Sequence, residues 1–514
     1  MKQMKLLSNV ALVVCTSLLI TACQPAGEQT ATGRQDAQGK KVMDTGVAHP
    51  SELEFLQREI EIPQAAEFRH QLDGGNFAYI VPDSSLPLVK VSILSRAGHY
   101  LLGPEDAGLA GMTGTMLRDG GTRDLKPDEL DERLDFLATN IQTSIGSVSS
   151  SASVDTLSEN LDESLNLLFD MLSLPRFDAD RLAINKAKVI EELRKRNDDT
   201  RRIEPRVWSG LIYGDEFFVN NRATGAQIEA ITADSMRELA SRVFANGQLI
   251  VAVSGAVEAD AIVARLNEQF ARLPAGEELP AIPDTPQAAE PGLYGVNKDD
   301  VNQTRVSLGH PGPRHGHPDE YAINVMNEIL GGGGFTSRIV KRVRSDEGLA
   351  YSAGSRFNLG RWYPGLFRAA FQSKNPSVSQ ALGIVLEEIE RIRSEPVSEQ
   401  ELSTARESVI AVLNELYTNA NRRANRFASD ELNREAVDYW HNLEENFRQV
   451  SAEDVQRVAA EWLKPDQLRI LLTGKLDEAQ AGDGEHGTVE AVSGLTLRQL
   501  PLKDPLTLEP LPLN

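Results

Sequence analysis

Two stretches of the chain share one pattern and decide its fold: Gln248-Leu-Ile-Val-Ala-Val-Ser-Gly255 and, 219 residues later, Gln467-Leu-Arg-Ile-Leu-Leu-Thr-Gly474. A predicted helix precedes each stretch, and it begins at Thr232 in the first copy and at Ser451 in the second. A hydroxyl at the N-cap, with an acid in the first turn, satisfies free backbone N–H groups, and an apolar run that ends at Gly predicts a strand. The chain therefore contains a duplicated helix–strand unit.

The duplication continues upstream without large gaps. Three further pairs correspond: the predicted helices that begin at Asp178 and Ser398, the strands Val91–Ile93 and Val306–Leu308, and the helices Gly108–Leu117 and Tyr321–Leu330. Within each copy, strands lie at both ends and helices lie between them. This order predicts an α+β fold in which helices cover one face of an antiparallel or mixed sheet.

The predicted domain organisation follows from these repeats and from shifts in composition. Five prolines between positions 274 and 291 favour an extended, semi-rigid linker between the two copies. The predicted ranges are a signal peptide at 1–22, a lipidated N-terminus and flexible tether at 23–48, an N-terminal domain at 49–273, a Pro-rich linker at 274–300, a C-terminal domain at 301–475 and a tail at 476–514.

Size and charge limit the possible functions. The 514 residues carry 53 Lys and Arg against 75 Asp and Glu, which gives a formal net charge of −22. The length suggests about three domains or two large ones. Because nucleic acid and anionic lipid headgroups are bound through clustered Lys and Arg, an acidic chain is a poor partner for either, and we expect no nucleic-acid binding.

The first 23 residues are typical of an export signal. Lys2 and Lys5 precede an apolar run from Leu6 to Ile20, which is shorter than a membrane-spanning helix. Ile20-Thr-Ala-Cys23 resembles the bacterial lipoprotein box, in which the cysteine is acylated and becomes the mature N-terminus. An Asp directly after the cysteine would resemble an inner-membrane retention signal, but this chain has Gln24 there. We therefore expect a lipid anchor at Cys23 on the periplasmic side of the outer membrane. The alternative is a plain signal peptide that happens to contain a cysteine.

The second copy contains the motif Arg344-Ser-Asp-Glu-Gly-Leu-Ala-Tyr-Ser352, preceded by Gly331–Gly334 and Ser337-Arg338. This combination resembles the M16, or insulinase-like, metallopeptidases, a family that includes pitrilysin and the mitochondrial processing peptidase. The resemblance covers residues ~50 to 475. It implies a tandem pair of homologous α/β-roll domains that form a clamshell, and it implies peptide substrates.

Active members of this family carry His-x-x-Glu-His in the first half, where two His hold Zn²⁺ and the Glu is the general base. The corresponding positions here are Gly111, Gly114 and Thr115, so neither ligand nor base is present. Glu192 occupies the position of the third ligand, although its upstream helper carboxylate is replaced by Asn185. A lone carboxylate cannot hold catalytic zinc, and we expect this chain to bind no metal or other cofactor. Glu192 is equally well interpreted as part of a solvated, ion-paired helix face.

The second half of the family contributes an Arg and a Tyr, seven residues apart, that reach over the zinc site of the first half or of a partner subunit. Arg344 and Tyr351 have this spacing. The resemblance implies that they act in trans and donate hydrogen bonds to the developing oxyanion. The alternatives are a surface cation for Arg344 and a half-buried strand aromatic for Tyr351.

Two other features favour structural interpretations. No Lys-Ser/Thr follows Gly331–Gly334 at P-loop spacing, so we interpret this run as a close-packed turn that ends the helix at Leu330. His310, His315 and His317 lie in a Pro-rich stretch without a common metal spacing, and we interpret them as histidines of a surface loop.

Three functions remain compatible with the sequence. The chain could be the non-catalytic subunit of a two-chain zinc metallopeptidase, whose partner carries His-x-x-Glu-His and the zinc. It could be a periplasmic lipoprotein that binds peptides without a role in catalysis, or a hydrolase with an unrecognised site. The missing zinc ligands count against the third hypothesis. The presence of Arg344 and Tyr351 favours the first over the second, because a pure binding protein has less need for an oxyanion-stabilising pair.

Overall fold

A computed structural model describes residues 62–513, which contain two six-stranded sheets, one in each copy of the repeat. The strands are β1 Arg69–Gln71, β2 Phe77–Pro82, β3 Leu88–Ser95, β4 Asn140–Ile145, β5 Ser150–Leu157, β6 Leu249–Gly255, β7 Gly292–Asn297, β8 Gln303–Gly312, β9 Ala350–Asn358, β10 Gly365–Lys374, β11 Arg469–Gly474 and β12 Leu497–Gln499.

The helices of the first half are α1 Leu109–Asp119, α2 Pro127–Phe136, α3 Leu161–Ser173, α4 Ala179–Arg194, α5 Thr200–Tyr213, α6 Gly225–Ala230, α7 Ala233–Val243 and α8 Ala259–Phe270. Those of the second half are α9 Glu320–Asn327, α10 Arg338–Val340, α11 Val378–Ser394, α12 Glu399–Ala411, α13 Leu413–Leu416, α14 Ala420–Asn433, α15 Tyr439–Gln449, α16 Ala452–Trp462, α17 Leu476–Ala481 and α18 Val489–Ser493. Two π-helical segments, Glu328–Gly332 and Lys341–Asp346, also belong to the second half.

The two sheets have equivalent strand orders, β1-β2-β6-β3-β5-β4 in the first half and β12-β7-β11-β8-β10-β9 in the second. In each sheet the repeated strand, β6 or β11, lies between one parallel and one antiparallel neighbour. Both strands are buried along their length. A strand that is covered on both faces favours a continuous apolar run, which is why these two segments carry the clearest repeat in the sequence.

The helices that precede the repeated strands are capped as the sequence predicts. The Thr232 hydroxyl accepts a hydrogen bond from the backbone N–H of Ser235 at 3.1 Å, and the Ser451 hydroxyl accepts one from Asp454 at 3.0 Å. Ser398 caps α12 in the same way. Capping of this kind stabilises a helix by about 1 kcal/mol and fixes its first residue.

Each sheet packs its own helices on one face and a helix of the other half on the opposite face. On β2 and β6, alternate residues such as Ile80 and Val251 face the core of the first half. Their neighbours Tyr79 and Ile250 pack instead against α14 of the second half. The packing between the halves is reciprocal, because α5 of the first half covers the outer face of β7 and β11 in the second half with residues that include Trp208. The two halves therefore share their apolar surfaces.

A buried carboxylate strengthens the packing of α5 on the second sheet. Glu204 of α5 is 1% exposed, and its Oε1 accepts hydrogen bonds from the guanidinium of Arg368 at 2.7 Å and from the hydroxyl of Ser307 at 2.5 Å. Both donors belong to the second sheet. Since a buried charge is costly without a partner, this contact fixes the register of α5 on the other half.

The segments between and after the repeats are also packed. Residues 274–291 contain no named helix or strand, but the backbone N–H groups of Gln287 and Ala289 donate to carbonyls of α5. The second sheet begins at Gly292, inside the range predicted as linker. In the predicted tail, β12 adds a parallel edge strand to β7, and Leu476 and Val489 join the core of the second half. The predicted fold class, a tandem pair of homologous α+β units in a clamshell arrangement, is confirmed.

Candidate functional site

The metal positions implied by the family resemblance lie on α1. Gly111 and Thr115 are one helical turn apart and are both exposed. A Cβ atom at Gly111 would meet nothing within 4 Å, so this side of the helix borders open space. In this chain, however, neither position offers a side chain that binds zinc well.

The position of the general base is closed by packing. Gly114 is buried, and a Cβ atom there would lie 2.8 Å from the backbone nitrogen of Ile145 in β4. The hydroxyl of Thr143 in β4 donates a hydrogen bond to the carbonyl of Gly114 at 2.6 Å. Because α1 and β4 approach this closely, a glutamate at position 114 would require the helix or the strand to move.

The carboxylate of Glu192 is engaged elsewhere. It is exposed and forms ion pairs with Lys195 at 2.9 Å and with Arg202 at 3.2 Å, and these two cations lower its pKa. At the helper position, Asn185 is buried and donates to the sulfur of Met116 at 3.2 Å. Within residues 62–513, no group of three or more His, Cys, Asp or Glu side chains is placed to hold a metal ion. The residues of this chain therefore do not fit the zinc site of active family members.

Arg344 and Tyr351 lie on adjoining elements of the second half. Arg344 belongs to the π-helix Lys341–Asp346, a helix type often found at functional sites. Gly348, with φ of +63°, ends this segment before β9 begins. β9 is an edge strand, and Tyr351 is the extra residue of a bulge, because Ser352 pairs with Gln372 while Ala350 pairs with Ser373. Bulges redirect side chains, and this one turns the phenol of Tyr351 outward, with 85% of the residue exposed.

The Arg344 guanidinium lies over two aromatic rings. Its central carbon is 4.6 Å from the ring centroid of Tyr351 and 4.5 Å from that of Phe335, which is itself 65% exposed. In the part of the chain that the structure describes, no carboxylate forms an ion pair with Arg344. Cation–π contacts thus position the guanidinium and leave its edge N–H groups available. We name Phe335, Arg344 and Tyr351 the aromatic–arginine stack.

Phe335 was not among the predicted site residues. Its only sequence signal is its place directly after Gly331–Gly334, the run predicted to be a close-packed turn. The close packing is confirmed, because a Cβ atom at Gly331 would lie 2.4 Å from the backbone nitrogen of Ser355 in β9. The regular helix α9 ends at Asn327, and the π-helix Glu328–Gly332 continues it into this turn.

The predicted site residues form two groups. Arg344 and Tyr351 contact each other, whereas no hydrogen bond, ion pair or ring contact of residues 62–513 joins either of them to Gly111, Thr115 or Glu192. The stack is therefore not held by the metal positions of its own chain. Cys23 lies outside the described residues, and none of the helices described could cross a membrane.

The interpretation of the histidines as surface-loop residues is wrong for His310, whereas His315 lies in a loop as predicted but is half-buried and ion-paired. β8 extends to Gly312, so His310 is 1% exposed beside Phe367, and burial lowers its pKa to about 4. His315 forms ion pairs with Glu320 and Glu435, both at 3.0 Å, and the hydrogen bonds that it donates to these carboxylates raise its pKa to about 9. The Pro-rich composition of the segment concealed a buried strand end and a buried ion cluster.

Comparison with known proteins agrees with these observations. The family model described as "Peptidase M16 inactive domain" matches residues 230–409. The non-peptidase homolog YmxG of Helicobacter pylori is 25% identical over 385 residues, which cover 73% of this chain and 84% of the homolog. An uncharacterized zinc protease of Mycobacterium tuberculosis is 27% identical over 311 residues, 59% of this chain and 69% of that protein.

Solved structures share the fold. A peptidase M16 inactive domain from Pseudomonas fluorescens superimposes with a TM-score of 0.71 at 20% identity, over 79% of this chain and 97% of that one. A protease from Helicobacter pylori gives a TM-score of 0.67 at 21% identity, over 79% and 98% of the two chains. The matched family model and the related sequences show that this chain is similar to M16 peptidases, and in particular to proteins described as an inactive M16 domain or as a non-peptidase homolog.

Proposed function

We propose that this chain is the non-catalytic subunit of a two-chain zinc metallopeptidase. In this proposal it contributes part of a peptide-binding chamber and places Arg344 and Tyr351 over the active site of a partner chain that carries His-x-x-Glu-His. The partner supplies both the general base and the zinc that activates water, since this chain offers neither a base nor zinc ligands at these positions.

One observation carries the proposal: both rings of the aromatic–arginine stack are exposed, Arg344 is half-buried between them, and the polar groups of Arg344 and Tyr351 have no partner within the described residues. The guanidinium presents a planar fork of N–H donors, and the phenol presents one O–H donor. Both suit the oxygen of a peptide carbonyl, and both bind it more strongly when it becomes an oxyanion. A residue with only a packing role would bury its ring, whereas Tyr351 is 85% exposed.

The geometry of the stack also reduces the entropic cost of ordering its side chains in the active site of a partner chain. Arg344 is held by two rings and Tyr351 by the bulge in β9, so neither needs to be ordered when a peptide binds. Preorganised donors stabilise a transition state more than mobile ones, because no reorganisation accompanies the reaction. Among residues 62–513, no hydrogen bond, ion pair or ring contact joins the stack to Glu192, which agrees with a target in another chain.

The proposal is tested by mixing the purified chain with the His-x-x-Glu-His chain of the same genome and measuring hydrolysis of a quenched peptide. We expect no zinc after dialysis and no turnover for this chain alone, and chelator-sensitive turnover for the mixture that exceeds that of the partner alone. A mixture in which the partner's Glu is replaced by Gln is the control. Stoichiometric zinc and turnover in the isolated chain would overturn the proposal.

We further propose that the chain is anchored by a lipid at Cys23 on the periplasmic side of the outer membrane. The support is sequence alone: the Ile20–Cys23 motif, and Gln24 in place of an Asp. One lipidated residue attaches a folded body to a membrane surface without spanning it.

A further inference from the structure

Three arginines of the first half lie near one another, and none of them forms an ion pair with a residue that the structure describes. Arg196 follows α4, Arg206 lies on α5, and Arg222 lies in the loop before α6. Two hydrogen bonds place them near one another: Arg206 donates to Asn197, the neighbour of Arg196, at 2.8 Å, and Arg222 donates to the backbone carbonyl of Arg206 at 3.2 Å. We name Arg196, Arg206 and Arg222 the arginine cluster.

The members of the arginine cluster destabilise one another's charge. Partial burial, followed by the charges of Arg196, Arg222 and the neighbouring Arg202, lowers the pKa of Arg206 to about 10. Burial and the charge of Arg222 also lower the pKa of Arg196. At neutral pH all three remain protonated, so like charges are held close together in a partly desolvated place, which opposes folding.

Among residues 62–513, no carboxylate forms an ion pair with a member of the arginine cluster. Asp215 lies close enough to act on Arg222, but it is paired with Lys503 at 2.8 Å. The cluster thus holds three cations without an ion-pair partner among the described residues, in a chain with a net charge of −22.

The cluster also has hydrogen-bond donors that no residue of the described range 62–513 uses. A guanidinium carries five N–H groups. Arg196 uses one nitrogen, on the carbonyl of Pro505, and Arg206 uses one, on Asn197. Arg222 uses one nitrogen, which it shares between Asn220 and the carbonyl of Arg206. All three side chains are half-buried, so an ion in solution can reach them.

From this arrangement we propose that the arginine cluster binds an oxyanion, the chemistry shared by a phosphate group and a carboxylate. An oxyanion supplies the missing negative charge and several acceptors, and guanidinium groups bind both kinds through paired N–H donors. This site is distinct from the aromatic–arginine stack and does not depend on the proposed function.

The test compares thermal unfolding midpoints of the full chain in inorganic phosphate, succinate and sodium chloride at matched ionic strength. Specific binding of either anion raises the midpoint by at least about 2 °C near saturation, relative to chloride. A rise with phosphate alone identifies a phosphate ligand, and a rise with succinate alone identifies a carboxylate. Equal midpoints in all three salts would overturn the proposal, because the salts would then act on stability only through their common ionic strength.

The variant Arg206→Gln is expected to lose the rise while keeping or increasing the midpoint in chloride, since it relieves repulsion. Arg181→Gln, which removes an arginine already paired with Asp128, is the matched control and should keep the rise. An unchanged anion response in Arg206→Gln would mean an adventitious ion only and would overturn the assignment. If Arg206→Gln does not fold, titration calorimetry of the wild-type chain decides: one-site binding of phosphate or succinate supports the site, and no heat refutes it.

Discussion

The close approach of α1 to β4 predicts opposite effects for two glycines on the same helix. Gly114→Ala places a methyl group 2.8 Å from the backbone nitrogen of Ile145 and 3.3 Å from the Cα of Ser144. Gly111→Ala places one where no atom lies within 4 Å. We therefore expect Gly111→Ala to stabilise the fold and Gly114→Ala to destabilise it.

The magnitude follows from two terms. Replacing Gly by Ala inside a helix stabilises it by about 0.5–1 kcal/mol, and this term is similar for both variants. Overpacking a rigid core costs about 1–3 kcal/mol, and this term applies only to Gly114. The difference in the free energy of unfolding between the two variants is then about 1–3 kcal/mol, largely independent of helix propensity.

The assay is urea unfolding of wild type and both variants, followed by tryptophan fluorescence. If Gly114→Ala were as stable as Gly111→Ala, the contact between α1 and β4 would be looser than described, and restoring His-x-x-Glu-His in this chain would be sterically possible. The expected result instead means that a zinc site cannot be restored by the three side chains alone.

Three further predictions concern pH, packing and attachment. Because the pKa of His315 is raised from 6.5 to about 9, its contribution to stability is complete below about pH 6.5 and is lost as the pH rises toward 9. The thermal unfolding midpoint of wild type should therefore exceed that of His315→Gln by less and less across this range. A difference in midpoint that stays constant with pH would contradict the ion cluster. Phe427→Ala, at a 3% exposed position between the two halves, should lower the free energy of unfolding by about 3–5 kcal/mol. Phe335→Ala at the surface should change it by no more than about 0.5 kcal/mol. Equal losses for the two variants in urea unfolding would refute the reciprocal packing of the halves. Cys23→Ser should move the mature chain from the membrane to the soluble fraction after cell fractionation, and a variant that stays in the membrane would reveal another anchor.

The duplication was predictable because its evidence is local. A hydroxyl at Thr232 or Ser451 caps a helix whatever surrounds it, and a strand such as β6 that is buried on both faces must be apolar throughout. The equivalence of the two sheets follows from these segments.

The exchange of α5 and α14 between the halves was not predictable in the same way. Trp208 and Phe427 lie on helices whose apolar faces resemble those of any amphipathic helix, and periodicity does not say which sheet such a face covers. His310 was missed for a related reason, since two prolines near it suggested a loop although the strand continues through it.

The candidate site was predicted in part. The positions of Arg344 and Tyr351 followed from spacing, but the bulge that turns Tyr351 outward depends on the pairing of β9 with β10, which is a tertiary property. Phe335 follows four glycines and has no sequence neighbour that marks it as a ring for Arg344. The closure of Gly114 likewise depends on β4, which is distant in sequence.

The most direct test of the account is the turnover of the reconstituted pair carrying Tyr351→Phe. This change removes the O–H donor and keeps the ring that packs on Arg344, so kcat should fall on the order of 10²–10³-fold while assembly and thermal stability stay unchanged. Arg356→Lys, at an exposed position of the same strand, is the matched control and should have wild-type turnover. A fully active Tyr351→Phe, Arg344→Lys double variant, or a loss of stability with normal turnover per assembled complex, would contradict the proposed role in trans.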